Sequence, residues 1–302
     1  MPRESLELLP PKFVRVMGEF NQNSGFDWRA HLLGTLNDLE DKWQLRLGVP
    51  FENLSYHFVA PCTLYDGGQA VLKIGYHDPE SPIAGEAEVL KLYDGRGAVK
   101  LLRHSAEYYA LLLERLSPGR HLKTECRADA RRAADVAVSL LKKVQQKPPA
   151  KHDLLSLHSW FEALNSTSGT EFPADAIHKS RLIYRHLSAA PEFLLHGDFH
   201  HENILSAERE PFLVIDPKGV VGQIGYDIAV FLNNHVWWLG TGPEARSLVA
   251  EAVKAFAEAF DLEEKELRQW AYAQSVLSAW WTFEENNVNW EQDLKYAEIW
   301  NV

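Results

Sequence analysis

Around residue 50 the hydrophobic period of this chain switches from that of a helix to that of strands, and near residue 117 it switches back. These two changes limit the fold more than any other feature. Leu32, Leu36, Leu39, Trp43 and Leu47 fall at three- and four-residue intervals, which predicts an amphipathic helix over 28–47, ended by Gly48 and Pro50. Residues 54–64 and 69–75 are rich in Val, Tyr, Phe and Thr and flank Asp66-Gly67-Gly68, a hairpin signal. A helical stretch over 84–93 stops at Asp94-Gly95, and Gly95-Arg96-Gly97 reads as that helix stop; short strands follow at 98–102 and 108–113. After the Ser117-Pro118-Gly119 turn, helical spacing dominates over 121–146, 153–165, 173–190, 244–260 and 263–284, interrupted by apolar segments at 193–195 and 212–215.

Strands gathered into one third of a chain, with one helix among them, do not make the alternating strand–helix order of a parallel sheet. The expected class is α+β: an N-terminal lobe, residues 1–116, with a small antiparallel sheet, one helix and an N-terminal helical extension, and a larger, mainly helical lobe, residues 117–302. The length of 302 residues suits two lobes.

Composition narrows the function. Forty-two acidic against 31 basic residues give a net charge of −11, which argues against nucleic acid or an anionic membrane surface as partner and leaves room for a cationic small molecule or a metal-shielded phosphate substrate. Cys62 and Cys126 are the only cysteines, without the spacing of a zinc or redox motif. Pro2, Pro10, Pro11 and scattered charges break up the first twenty residues, so they lack the apolar core of a secretion signal, and no run reaches the roughly 18 apolar residues of a membrane span. The expected location is the cytoplasm.

The richest polar stretch is His196-Gly197-Asp198-Phe199-His200-His201-Glu202-Asn203, followed by Asp216 at the end of an apolar strand pattern. Asp198 and Asn203, five apart in a loop opened by glycine, are placed to face one site, with the carboxylate on a substrate hydroxyl and the amide oxygen on a cation that Asp216 also meets. Oxygen-only ligands favour Mg²⁺. A carboxylate base, Mg²⁺ and a lysine for nucleotide phosphates are the parts of phosphoryl transfer. Lys73, on the second strand of the hairpin, supplies the lysine, and Glu86, early in the next helix, is the partner that fixes it.

His196-Gly-Asp-x-x-x-x-Asn203 with Ile215-Asp216-Pro217 resembles the signature of the aminoglycoside phosphotransferase family, relatives of the protein kinases. Residues 93–102, 110–116 and 215–219 with Tyr226-Asp227 are similar to its aminoglycoside/hydroxyurea resistance branch, which includes streptomycin 6-phosphotransferases. The resemblance spans roughly residues 43–285 and implies a bilobal protein-kinase-like fold and an ATP- and Mg²⁺-dependent transfer to a hydroxyl of a streptomycin-like aminoglycoside. It implies Asp198 as catalytic base, Asn203 and Asp216 as Mg²⁺ ligands, and Lys73 with Glu86 on the nucleotide. It also implies a hinge at Glu114-Arg115-Leu116, with the Glu114 carbonyl and Leu116 amide reading adenine. No Gly-x-Gly-x-x-Gly precedes Lys73, and the resemblance puts Ser55 in the loop over the phosphates.

The alternatives are a kinase for a sugar, amino sugar or amino alcohol and, from another class, a nucleotide-binding pseudokinase. His196 reads as packing beneath the loop, and Asp227 as a buried carboxylate accepting backbone hydrogen bonds from it. Lys218 reads either as a solvated loop residue or as charge compensation beside the metal. Glu284 and Glu285, at the end of an aromatic run, are candidates to bind a cationic substrate.

Overall fold

The computed structural model describes residues 9–21, 27–54, 56–76, 82–127, 129–166, 171–285 and 289–300. The chain divides into two compact units, Met1–Gly95 with Val99–Leu116, and Arg96–Ala98 with Ser117–Val302.

The first unit runs α1 (Pro11–Asn21), α2 (Trp28–Trp43), β1 (Leu45–Leu47), β2 (Phe58–Leu64), β3 (Gln69–Ile74), α3 (Ile83–Tyr93), β4 (Leu101–Ser105) and β5 (Ala110–Glu114). Its five strands form one sheet in the order β1-β2-β3-β5-β4, every neighbour antiparallel. The helix expected to reach Leu47 ends at Trp43 instead. Gln44 takes the left-handed conformation (φ 54°) and its N–H caps the Glu40 carbonyl. Leu45 and Leu47, buried on either side of exposed Arg46, then pair with β2 in the register Leu45↔Leu64. Two leucines two apart satisfy a strand as well as the tail of a helical stripe, and only the partner strand settles which.

Alternation along β3 decides what faces where. Ala70, Leu72 and Ile74 enter an apolar core with Leu32, Leu36 and Leu39 of α2 and Phe58 and Ala60 of β2. Lys73 therefore belongs to the other face of the strand.

The second unit comprises β6 (Pro118–His121), α4 (Leu122–Glu125), α5 (Ala130–Val144), β7 (Leu155–Ser156), α6 (Leu157–Glu162), α7 (Ala174–Leu187), β8 (Phe193–Leu195), β9 (Ile204–Ala207), β10 (Phe212–Val214), β11 (Val220–Gly222), α8 (Gly225–Leu239), α9 (Pro243–Phe260), α10 (Glu264–Glu284) and α11 (Trp290–Ala297). The helix expected over 121–146 is broken into α4 and α5, and α5 starts afresh where the Asp129 carboxylate caps the Arg132 N–H. Two three-stranded sheets, β10-β9-β6 and β7-β11-β8, sit among the helices. Arg96–Ala98 join this unit through Val214 N–H to the Gly97 carbonyl at 2.9 Å and the Arg209 guanidinium to the Ala98 carbonyl at 3.0 Å.

Helix α8 is buried on nearly every side, from Gly225 through Val236. An all-round apolar helix shows no stripe, so its period is silent in the sequence. Its first residue abuts the fully buried Trp270 ring of α10 so closely that an added Cβ would collide with the indole. Gly225→Ala is expected to lower unfolding stability by about 1–3 kcal/mol, the usual cost of overpacking a filled core, read as a reduced urea midpoint at unchanged slope.

Candidate functional site

In the first unit the candidate pair is Lys73 with Glu86. Ile83, Glu86, Leu90 and Tyr93 share the buried stripe of α3, and Glu86 stands in the first turn, where helix N–H groups favour an acid. Lys73 Nζ lies 2.6 Å from Glu86 Oε2, with side chains only 7% and 2% exposed. Glu88, two residues on, is half-buried elsewhere on the helix. Removing two charges from water costs several kcal/mol per ion, so a pair this dry is a poor stabiliser relative to apolar residues and fits a task that needs a fixed ammonium.

Glu114 ends β5, where its N–H donates to the Lys100 carbonyl at 2.9 Å and its carboxylate accepts from the Lys100 N–H at 3.1 Å. Leu116, half-buried, closes the unit. Ser55 lies outside the described residues.

In the second unit, strand register assembles the rest. The β9–β10 hairpin pairs Ile204 with Val214, so Asn203 and Ile215 are the next rung, and Ile215 N–H donates to the Asn203 carbonyl at 2.9 Å. Strands β8 and β11 pair Leu195 with Val220, and just beyond them Lys218 N–H donates to the His196 carbonyl at 2.7 Å. Loop 196–203 is thereby laced to loop 215–219 at both ends.

Side chains complete the lacing. The Asp227 carboxylate, fully buried at the start of α8, accepts from His196 N–H at 2.7 Å and Gly197 N–H at 2.8 Å. Burial pushes its carboxyl up to about 7, against the pull of those two amides. Buried His196 bridges the loops: Nε2 is 2.8 Å from the Ile215 carbonyl and Nδ1 accepts Asp198 N–H at 3.2 Å, so the neutral tautomer with a proton on Nε2 satisfies both. Burial lowers its pKa to about 4.

Asp198 is half-buried. Burial opposes its charge, but a hydrogen bond from His200 and the positive charge of Lys218 hold its carboxyl well below the usual range. Asn203 Nδ2 donates to the Asp198 carbonyl at 2.9 Å and to Asp198 Oδ2 at 3.1 Å, which leaves Oδ1 on the opposite side of the amide as an acceptor. Asp216 occupies the left-handed region (φ 60°), a position that costs a non-glycine residue about 1–2 kcal/mol and that the neighbouring bonds maintain. Lys218 Nζ stands 2.9 Å from Asp216 Oδ2 and 3.3 Å from Asp198 Oδ2.

These donors fit a hard cation. The set is oxygen-only and contributes few protein ligands, as Mg²⁺ shared with phosphate requires, and an ammonium already stands between the two carboxylates. Among the described residues no group of three or more His, Cys, Asp or Glu is set to hold a metal. His201 instead meets His235 of α8, Nε2 to Nδ1 at 2.9 Å, with its ring stacked on Phe231.

Glu284, the last residue of α10, and Glu285, its C-cap, are exposed, and among the described residues no hydrogen bond or ion pair ties them to Asp198. One turn earlier Trp281, which reads as core in the sequence, is only half-buried and meets Trp160 edge-on at 5.6 Å. Trp160 in turn abuts the catalytic loop: a Cβ on Gly197 would approach its ring to 3.0 Å. Nothing in sequence spacing links Trp160, on a six-residue helix, to residue 197.

An antiparallel sheet with a buried Lys–Glu pair in one unit and a loop–hairpin carrying Asp198, Asn203 and Asp216 in the other are features of a kinase-like phosphotransferase acting on hydroxyl groups. The family description "aminoglycoside/hydroxyurea antibiotic resistance kinase" matches residues 43–286, and the chain belongs to that family. It is 30% identical to the hydroxyurea phosphotransferase of Kitasatospora aureofaciens, over 96% of this chain and 85% of that one. It is 28% identical to a streptomycin 6-kinase of Streptomyces glaucescens, over 93% and 92% of the two chains. Among solved structures, an amicoumacin kinase in complex with AMP-PNP, Ca²⁺ and Ami shares the fold, with a TM-score of 0.62 at 13% identity over 91% of this chain and 94% of that one.

The buried imidazoles set an acid limit. Burial lowers both His196 and His235 from 6.5 to about 4. Between those values the unfolded chain takes up protons that the folded chain refuses, so stability present in full above pH 6.5 falls as the pH drops toward 4, by up to about 1.4 kcal/mol per pH unit for each imidazole. Urea unfolding at pH 7 and pH 5 is expected to show this loss, and His235→Phe to lose less on acidification than the parent.

Proposed function

We propose that this protein is an ATP-dependent, Mg²⁺-assisted kinase that transfers the γ-phosphoryl group to a hydroxyl of a streptomycin-like aminoglycoside, in the cytoplasm, and so confers resistance. The observation that carries the reading is the meeting of Asp198, Asn203 and Asp216 on two loops laced together by His196 and Asp227. The family membership and the names of the relatives support the acceptor class.

In this reading Asp198, kept ionised, accepts the hydrogen bond of the acceptor hydroxyl and orients its oxygen toward phosphorus. Asn203 Oδ1 and the Asp216 carboxylate would hold Mg²⁺, which when bound neutralises charge on the phosphate oxygens. Lys73, steadied by Glu86, supplies a fixed positive charge to the nucleotide phosphates, and the Glu114 carbonyl and Leu116 amide read the base. Catalysis comes from position and charge rather than a covalent intermediate.

The acceptor's positive groups find a matching surface on the second unit. The half-buried Trp160 and Trp281 offer ring faces or edges to a sugar or guanidinium, and Glu284 and Glu285 lie three and four residues beyond Trp281, on the same side of the helix. Free Cys62 and Cys126 are both buried, and burial pushes the Cys62 thiol up to about 11, so neither is a nucleophile and both suit a reducing compartment.

A second acceptor is favoured by one finding: a relative covering nearly the whole chain is a hydroxyurea phosphotransferase. ADP release with Mg-ATP against streptomycin, hydroxyurea, plain sugars and amino alcohols separates the readings. Streptomycin is expected to give the strong signal; a signal from a metabolite alone would overturn the proposed acceptor, and ATP binding with silence across the panel would overturn the enzyme reading. Asp198→Ala and Asn203→Ala are expected to cut kcat by at least about a thousandfold with unchanged circular dichroism. The double substitution Glu284→Ala with Glu285→Ala is expected to raise KM for a cationic acceptor about tenfold with kcat preserved; an unchanged KM would remove those residues from the acceptor site.

A further inference from the structure

Lys218 is neither the base nor a metal ligand, yet its ammonium stands between them, 3.3 Å from Asp198 Oδ2 and 2.9 Å from Asp216 Oδ2. Its side chain is only 28% exposed, so it is not the solvated loop lysine that its sequence context allows. Its backbone is pinned by the 2.7 Å bond to the His196 carbonyl, and Gly219 follows in the left-handed region (φ 72°), which sets the chain's departure into β11. Its stem packs against the catalytic loop, where a Cβ on Gly197 would lie 3.2 Å from Lys218 Cβ. A long side chain gives up close to 2 kcal/mol of rotamer freedom when held in this way, and one exposed ion pair would not repay it. Two carboxylates converging on one nitrogen do.

The chemistry of the pair explains why a cation has to be there. Asp198 and Asp216 come from different loops and carry like charges, so without a positive group between them each would turn the other away. A metal arriving with nucleotide phosphates cannot serve before the nucleotide binds, whereas a lysine two residues from Asp216 is always present.

We propose that Lys218 is a positioning residue of the phosphoryl transfer: a resident counter-ion that holds Asp198 and Asp216 in register while no nucleotide is bound, and releases Asp216 to the metal while keeping Asp198 aimed at the acceptor. The role rests on the phosphotransferase reading above. Lysine, unlike a second metal, cannot be lost by chelation, and its single point charge can leave one carboxylate without leaving the other.

The test joins kinetics to a binding measurement that needs no turnover. Lys218→Met keeps the stem and removes the charge; Lys218→Arg keeps the charge. With Mn²⁺ alone, followed by loss of its free-ion EPR signal, Lys218→Met is expected to bind the ion about tenfold more tightly than the parent, because the ammonium no longer competes for Asp216. In steady state the same variant is expected to lose about a hundredfold in kcat with KM for ATP within a factor of three, and Lys218→Arg to recover most of that loss. A folded Lys218→Met protein with parental Mn²⁺ affinity and parental kcat would overturn the proposal, as would an equal kcat loss in the arginine variant. If the parent phosphorylates nothing in the acceptor panel, the phosphotransferase reading fails, and the Mn²⁺ competition still decides whether Lys218 is the counter-ion of the two carboxylates.

Discussion

The Asp227 carboxylate is the fixed point of the second unit. It has no exposure to solvent, and it spends its two oxygens on two consecutive backbone amides, His196 and Gly197, at the start of the catalytic loop. Two N–H groups buried without acceptors would cost about 1–3 kcal/mol each, so the loop cannot leave this carboxylate cheaply. Once residues 196 and 197 are held, the His196 ring is set against the Ile215 carbonyl, and Asp216 follows one residue later in a left-handed conformation it would not choose alone. Geometry passes from a buried acid to a backbone, then to an imidazole, and finally to the carboxylates of Asp198 and Asp216.

The first unit solves a different problem, that of keeping an ammonium charged and still in a dry place. Strand alternation sends Lys73 away from the apolar core that Ala70, Leu72 and Ile74 join, and the stripe of α3 brings Glu86 to meet it. Such a pair contributes little to stability, so its presence in a small sheet speaks for function. The second unit repeats the device with a difference. There Lys218 is shared between two acids and keeps more contact with water, which suits a charge that has to change partners.

Much of this was legible in the residues. The polar run His196-Gly-Asp-x-x-x-x-Asn203 with Asp216 stands out as a candidate site because its carboxylates and amide lie between apolar strand patterns, and Lys73 and Glu86 are visible because a lone lysine in an apolar strand is followed by an acid on a buried stripe. Trp160 and the half-buried state of Trp281 were not legible, since their relation to Gly197 crosses long stretches of sequence and tryptophan in an aromatic run reads as core. Helix α8 was missed because burial on all sides erases its period, and β1 was absorbed into a helix because two leucines two apart fit both patterns.

The α+β class, the kinase-like family and the candidate site residues are legible in the amino-acid sequence, because they depend on residue type and on spacing within single loops and elements. Tertiary structure alone decided how the groups are held. The bond from Asp227 to the loop crosses 30 residues, the ring of His196 finds a carbonyl 19 residues away, and Lys218 becomes a counter-ion rather than a surface charge only when β8 pairs with β11 and β9 with β10. Local pattern fixes what a residue is able to do, while non-local pairing fixes what it faces, and the electrostatics of this site depend on what each charge faces.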